Sequence, residues 1–382
     1  MKRVKTQFFT FADNPRDPFV LQCQSTLRPV TLAYETYGNL SAERDNAVLV
    51  FHAFSGSQHA AGFNPSVPGV GDLWVQECHR GWWDSFIGER KAIDTRRFFV
   101  ICANYLGSCY GSTGPRSVNP STGKPYGGKF PPVRANDIVD SQVRLLEHLG
   151  VGKLHAVVGG SLGGMLAVNL ATRFPGRVRH VVLIGSGLHV TTLQRIHNFE
   201  QILAIEEDPN FNEGDYYGGP APEKGLVLAR MIAHKTFVSL KAMRLRARRQ
   251  VVHQERNLRL YQLTDPVESY LLYQGKKFVR RFDANSYLRI IDMWQHYDLL
   301  RDTGHRNYYT LFSRCRQQNY LVFSIDSDVC YYPEEQEALV STLRKSRVPC
   351  HYVTVHSEKG HDSFLIEPHL YAPHISYVLL EK

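Results

Sequence analysis

The stretch VGGSLGGM (158–165) crowds four glycines around one serine, between an apolar run and a second run compatible with a helix. Gly159, Ser161 and Gly163 make the pattern G-x-S-x-G. Where a strand hands over to a helix, that pattern builds a sharp elbow. The serine takes strained backbone, and glycines two positions to either side let strand and helix approach without colliding side chains. The hydroxyl is then held at the helix N-terminus, where free backbone N–H groups face any oxyanion that forms. The chemistry this suits is nucleophilic acyl transfer.

A serine hydroxyl is a poor nucleophile until a base takes its proton, and the base needs an acid to fix its tautomer. In sheets that carry such an elbow the acid and then the base follow the serine, each on a loop after a late strand. Asp326 and Asp328 follow NYLVFSI (319–325), and His356 and His361 follow HYVTV (351–355). Asp328 is preferred as the acid because the buried strand should end before the acid-bearing turn. His361 is preferred as the base because Gly360 before it suits a tight turn. Asp326 and His356 remain the alternatives. The oxyanion donors are expected at the N–H of Leu162, directly after the nucleophile, and at Phe54, in the loop HAFSGS (52–57) that ends an early strand.

The elements that must position these residues read as a parallel α/β sheet. RPVTLAYETYG (28–38) alternates like an antiparallel strand, whereas NAVLVFHAFSG (46–56) and RFFVICANYLG (97–107) are short buried-type runs. NDIVDSQVRLLEHLG (136–150) has helical spacing, with Asn136 or Asp137 as cap and Gly150 as stop. LHAVV (154–158), a helix over 164–174 and VRHVVLIGSG (178–187) continue the strand–helix–strand rhythm that right-handed crossovers produce. From about 188 to 305 the rhythm stops and helical patterns take over, as in KGLVLARMIAHKTFVSLKAM and VESYLLYQGKKFVRRF. It resumes near 319 and ends on a helix near 369–381. A core domain of 1–187 and 306–382, with a helical lid of 188–305 inserted between late strands, is therefore expected.

Composition narrows the function classes. No stretch approaches the roughly 18 apolar residues of a membrane span, and the apolar stretch in MKRVKTQFFTFADNPRDP (1–18) is too short for a signal-peptide core. The seven cysteines are scattered, with no C-x-x-C pair, as expected of reduced thiols in the cytoplasm. The net charge of +9 thickens in KAMRLRARRQ (241–250) and GKKFVRR (275–281). The first of these spaces Met243 and Leu245 among its arginines like a solvated helix. With no nucleic-acid-binding signature beside it, the charge suits solvent or a phosphate-bearing small ligand. No Walker loop, dinucleotide fingerprint or H-E-x-x-H is present, so neither a metal nor a bound redox cofactor is expected.

Long blocks of the chain also resemble one family: AYETYGNL (33–40), HAFSGSQHAAG (52–62), GWWDSFIGERKAIDT (81–95), NYLGSCYGSTGPRSVNPSTGKPYGGKFP (104–131), GGSLGGM (159–165), GLVLARMIAHKTF (225–237), ESYLLYQGKKFVRRFDANSYL (268–288), SDVCYYP (327–333) and GHDSFL (360–365). The family is the homoserine O-acyltransferases of the α/β-hydrolase superfamily. The resemblance implies a ping-pong mechanism. Ser161 takes an acyl group from acetyl-CoA or succinyl-CoA, with His361 as base and Asp328 orienting it, and passes it to an amino-acid hydroxyl. It also implies a lid that forms a tunnel to the serine and often the contact of a homodimer, with small-molecule substrates and no nucleic-acid or membrane partner. Arg230 would meet the acceptor's carboxylate and Asp362 its amine. The family usually carries methionine where this chain has Leu162, which matters little because only the N–H is used. It carries tyrosine where this chain has Phe237, so a hydroxyl aimed at the acceptor is missing, and serine stands beside homoserine as a possible acceptor. A related esterase is the remaining reading.

Overall fold

A computed structural model describes residues 2–14, 16–249, 258 and 260–381. Pro15, in the N-terminal stretch, and Gln250, at the end of KAMRLRARRQ, lie outside the described residues.

Eight strands form one sheet: β1 (Gln7–Phe11), β2 (Val30–Tyr37), β3 (Ala47–Phe51), β4 (Phe99–Ala103), β5 (Leu154–Gly160), β6 (Val178–Ile184), β7 (Asn319–Ile325) and β8 (Cys350–Val355). Their order across the sheet is β1-β2-β4-β3-β5-β6-β7-β8. β2 pairs antiparallel with both neighbours, and the pairs from β4 to β8 are parallel. The central strands are apolar on both faces because helices cover both. All five residues of β3 are fully buried, its Val, Leu and Phe side chains contributing about 1.5–3 kcal/mol each.

The helices are α1 (Ala135–His148), α2 (Leu162–Arg173), α3 (Thr192–Glu206), α4 (Glu223–Phe237), α5 (Leu240–Arg249), α6 (Pro266–Val279), α7 (Ala284–Gln295), α8 (Leu299–Thr303), α9 (Tyr308–Phe312), α10 (Pro333–Lys345), α11 (Ser363–Ile366) and α12 (Pro368–Leu380). α3 to α9 all lie between β6 and β7. α3, α4, α6 and α7 pack on one another, whereas α8 and α9 pack back on the core, α8 against α2 and α9 against α10.

Several local expectations need correction. The N-cap of α1 is Arg134, not Asn136 or Asp137. Asp137 lies inside the first turn, where its carboxylate accepts from the N–H groups of Arg134 (2.8 Å) and Gln22 (2.8 Å). A carboxylate three residues into the helix can cap it from within. The pattern of residues 224–243 is two helices, because the chain is extended at Val238 before α5 begins. Met243 is not on a solvated helix face. It is buried with Ala242 and Ala247 as α5 packs on α6, while Leu245 stays exposed. The edge strand β1 is not among the strands expected from the sequence, although Phe8 to Phe11 alternate between exposed and half-buried.

Candidate active site

Every residue singled out on the core lies at the carboxyl end of a parallel strand, where open α/β sheets build their sites. Ser161 follows β5, the 52–57 loop follows β3, Asp328 follows β7 and His361 follows β8.

Ser161 has φ +58° and ψ −132°, the strained conformation expected of an elbow, and is 4% exposed. Its N–H donates to the carbonyl of Ile184 (2.9 Å), and its own carbonyl accepts from Gly164 (2.9 Å). The four glycines are there because nothing larger fits. A Cβ at Gly159 would lie 2.2 Å from the Gly163 carbonyl oxygen, and one at Gly163 would lie 2.4 Å from that of Phe51. At Gly160 it would strike the Phe364 ring, and at Gly164 the Ser186 side chain. The contact of Gly163 with the carbonyls of Phe51 and His52 also sets the 52–57 loop beside the elbow, as does the pairing of Phe51 with Gly159. The Leu162 N–H opens α2 and has no helical acceptor. The Phe54 ring, buried against Tyr287 (4.7 Å between centroids) and Trp294 (5.9 Å), holds the loop under the insertion.

Two aspartate–histidine pairs exist, and burial separates them. Asp326 bonds His356 (Oδ2 to Nδ1, 2.9 Å) at the surface, with side-chain exposures of 43% and 84%. Asp328 bonds His361 (Oδ2 to Nδ1, 2.6 Å) with exposures of 0% and 3%. The second oxygen of Asp328 accepts from the N–H groups of Cys330 (2.8 Å) and Tyr331 (2.9 Å), so the carboxylate is fully engaged. Burial alone would depress the His361 imidazole, but the charge and hydrogen bond of Asp328, and then the charge of Asp362, hold it above the ordinary histidine range.

His361 Nε2 is buried and has no partner among the described residues. Ser161 and His361 both adjoin the end of β6, with no hydrogen bond between them among the described residues. Ser161 is bonded to Ile184, and a Cβ on the next residue, Gly185, would lie 3.4 Å from the His361 ring. The Tyr331 hydroxyl donates to Met165 Sδ (3.4 Å), and the Tyr331 ring stacks on His361 (5.4 Å) and on Trp294 (6.0 Å). Hydrogen bonds between a nucleophile and its base are commonly long before substrate binds and shorten when it does.

The insertion is tied to the loops around the serine. Gln194 on α3 donates to the Cys330 carbonyl beside Asp328 (2.7 Å). The carbonyl of Phe237, which ends α4, accepts from the Asp362 N–H (2.9 Å), and the Tyr297 hydroxyl donates to the Met165 carbonyl in α2 (2.9 Å). These ties carry Arg230 and Phe237 to the site. The Phe237 ring is 6.0 Å from that of His361, and the Arg230 guanidinium lies over Phe237 (5.4 Å) and Phe278 (4.7 Å). Arg230 and Asp362 are both half-buried, and neither side chain forms an ion pair or hydrogen bond among the described residues. Burial raises the Asp362 carboxyl above its usual range, with Arg230 and His361 pulling the other way, and burial lowers Arg230 from its own.

Three site features were not read from the sequence. Tyr331 and Trp294 form the stacked wall above. His52 lies on Tyr105 (3.6 Å between centroids) with Nδ1 donating to the Ala53 carbonyl (2.8 Å), and burial drives it down to about 3, so it is neutral. Only the place of Tyr331, three residues past Asp328, hinted at its role.

Residues 46–368 match the family model described as the alpha/beta hydrolase fold. The chain is 42% identical over 367 residues to a curated homoserine O-acetyltransferase of Solidesulfovibrio magneticus, covering 95% of this chain and 89% of that protein. This chain belongs to the homoserine O-acyltransferase family. A homoserine O-succinyltransferase of Acidithiobacillus ferrooxidans is 42% identical over 350 residues (91% of this chain, 88% of that one), so the family includes both donor types at the same distance. Among solved structures, a homoserine O-acetyltransferase from Bacillus anthracis superposes with TM-score 0.87 at 26% identity, covering 100% of this chain and 99% of that one. Esterase E22 superposes equally well, with TM-score 0.87 at 27% identity and coverage of 99% and 100%. A member of the family and a hydrolase thus share this shape.

Proposed function

We propose that this enzyme transfers an acetyl group from acetyl-CoA to the hydroxyl of L-homoserine, making O-acetyl-L-homoserine for methionine biosynthesis, by way of an ester on Ser161. His361 Nε2 takes the Ser161 proton as Oγ attacks the thioester carbonyl, and the N–H groups of Leu162 and Phe54 receive the oxyanion. The carbon–sulfur bond breaks, and the proton on His361 leaves with the CoA thiol. His361 then takes the acceptor's hydroxyl proton, that oxygen attacks the ester, and Ser161 leaves with the proton restored. Asp328 keeps Nδ1 protonated and Nε2 free throughout.

The observation that carries this reading is the placement of Arg230 and Asp362 about Phe237 beside the histidine: the guanidinium lies over the Phe237 ring (5.4 Å), the Asp362 N–H donates to the Phe237 carbonyl (2.9 Å), and neither charged side chain is paired among the described residues. An α-amino acid fits between them, its carboxylate on the guanidinium fork and its ammonium on the carboxylate. An esterase has no need of such a slot. Phe237 leaves the wall beside His361 without a hydroxyl, which keeps serine as a second acceptor to test, and succinyl-CoA is the alternative donor. The helical insertion acts as a lid that keeps water from the ester. No helix of the described residues is long and apolar enough to cross a membrane, and we place the enzyme in the cytoplasm as a homodimer joined through the exposed apolar face of α3.

Intact mass after mixing with each acyl-CoA alone tests the scheme. One added acyl group, absent from Ser161→Ala and discharged by homoserine, is the expected result. Steady release of free acid without acceptor would identify a hydrolase instead.

A further inference from the structure

Arg281 is a second cation near the site that the mechanism above leaves unused. Its guanidinium lies over the Phe278 ring at 4.9 Å, the ring that also carries Arg230. Nη1 donates to the Ser55 carbonyl (3.2 Å) and to the Tyr110 hydroxyl (3.1 Å). Both partners are neutral, and Nε and Nη2 form no hydrogen bond among the described residues. Arg281 faces a cavity of about 260 Å³. The cavity is walled by Ala53, Ser55 and Gly56, which flank Phe54, and by Leu365, three residues past Asp362. The other acidic and basic residues on its wall already have partners: Glu77 pairs with Lys277 (3.0 Å), Arg80 with Asp84 (3.2 Å) and His59 with Glu35 (2.7 Å).

A half-buried guanidinium with only neutral partners is costly unless an anion completes it. The acceptor cannot supply that anion, because its one carboxylate and one ammonium are matched at Arg230 and Asp362. The donor can, and the cavity adjoins the loop where the thioester carbonyl must sit.

We infer that Arg281 anchors an anionic group of the acyl donor in this cavity, either a phosphate of the carrier or the terminal carboxylate of a dicarboxylic acyl chain. The inference rests on the acyl-transfer reading above. It makes Arg281 a determinant of donor affinity and not of acceptor affinity.

The test is saturation of Ser161 acylation in wild type, Arg281→Gln and Arg281→Lys, with acetyl-CoA, succinyl-CoA and S-acetyl-pantetheine, which lacks the phosphates. Arg281→Gln should raise the donor concentration for half-saturation about 10- to 150-fold, with the KM for homoserine unchanged and part of the loss restored in Arg281→Lys. A phosphate anchor shows the rise with both CoA esters and none with S-acetyl-pantetheine. A carboxylate anchor shows it with succinyl-CoA alone. Equal saturation of wild type and variant by all three donors, or a rise confined to homoserine, overturns the inference while leaving the acyl-enzyme scheme standing. A wild-type chain that takes no acyl group from any donor defeats the scheme itself, and this inference with it. If Arg281→Gln loses its melting transition, Arg281→Lys carries the test, with a smaller rise of the same donor selectivity expected.

Discussion

Asp328 and His361 meet through a 2.6 Å bond with side-chain exposures of 0% and 3%, while Asp326 and His356, two and five residues earlier, form a similar bond in open solvent. The parallel register explains the duplication. Ile325 and Val355 are partners at the ends of β7 and β8, so the residues after them meet at the rim: the Asp326 N–H donates to the Val355 carbonyl (3.1 Å). Asp328 and His361 lie on the turns beyond that rim, under the helical insertion.

The two pairs should therefore separate in activity. Asp328→Asn is expected to lower kcat by about four orders of magnitude by offering His361 the wrong tautomer, and Ser161→Ala by about four to six. Asp326→Asn and His356→Ala should stay within about a factor of two, as suits an exposed pair. Steady-state kinetics on the four variants checks this, and a large loss in Asp326→Asn would reassign the acid.

The raised imidazole predicts the acid limb of the pH profile. The base works as neutral imidazole, so kcat/KM falls as pH drops through the value His361 has in the protein. That value is held up by Asp328 and Asp362, so the limb should lie above the ordinary histidine value of about 6.5. Removing one carboxylate in Asp362→Asn should move it to lower pH. A limb that stays in place would mean that Asp362 does not bear on the histidine charge.

Arg230→Ala and Asp362→Asn should act on the second half-reaction. Each removes one charge-assisted contact, worth about 1.5–3 kcal/mol or roughly 10- to 150-fold in KM for homoserine. Acylation of Ser161 by the donor alone should proceed in both. Loss of acylation in Arg230→Ala would place that residue with the donor instead.

The glycines predict stability. Gly159→Ala forces a Cβ to 2.2 Å from a backbone oxygen, whereas Gly176→Ala meets nothing within 4 Å. The first should cost about 1–3 kcal/mol or more, with Tm lowered by several degrees, and the second should melt near wild type. Thermal melts of the two compare them directly.

α3 exposes Leu193 (37%), Ile196 (49%), Phe199 (58%) and Leu203 (46%), spaced for one helix face. Ile196→Asp with Phe199→Asp should convert a dimer to a monomer in sedimentation while leaving the fold intact. A wild-type monomer would remove the α3 interface from the proposal.

Legible in the sequence were the glycine-flanked turn at Ser161, the parallel α/β order and the interval where helices replace strands. Each is a local pattern: glycine spacing, a continuous apolar run or a helical period. It left two acids and two bases open, because both aspartates and both histidines follow the same strand ends and spacing carries no record of burial. It also missed the cap at Arg134, where Asp137 acts from inside the helix, and the inward face of α5. Which aspartate meets which histidine was settled only by the tertiary structure, as was the stacking of Trp294 on Tyr331 and of Tyr331 on His361. Those meetings depend on strand register and on helices folding back over the sheet, and it is burial that distinguishes one of two similar ion pairs from the other.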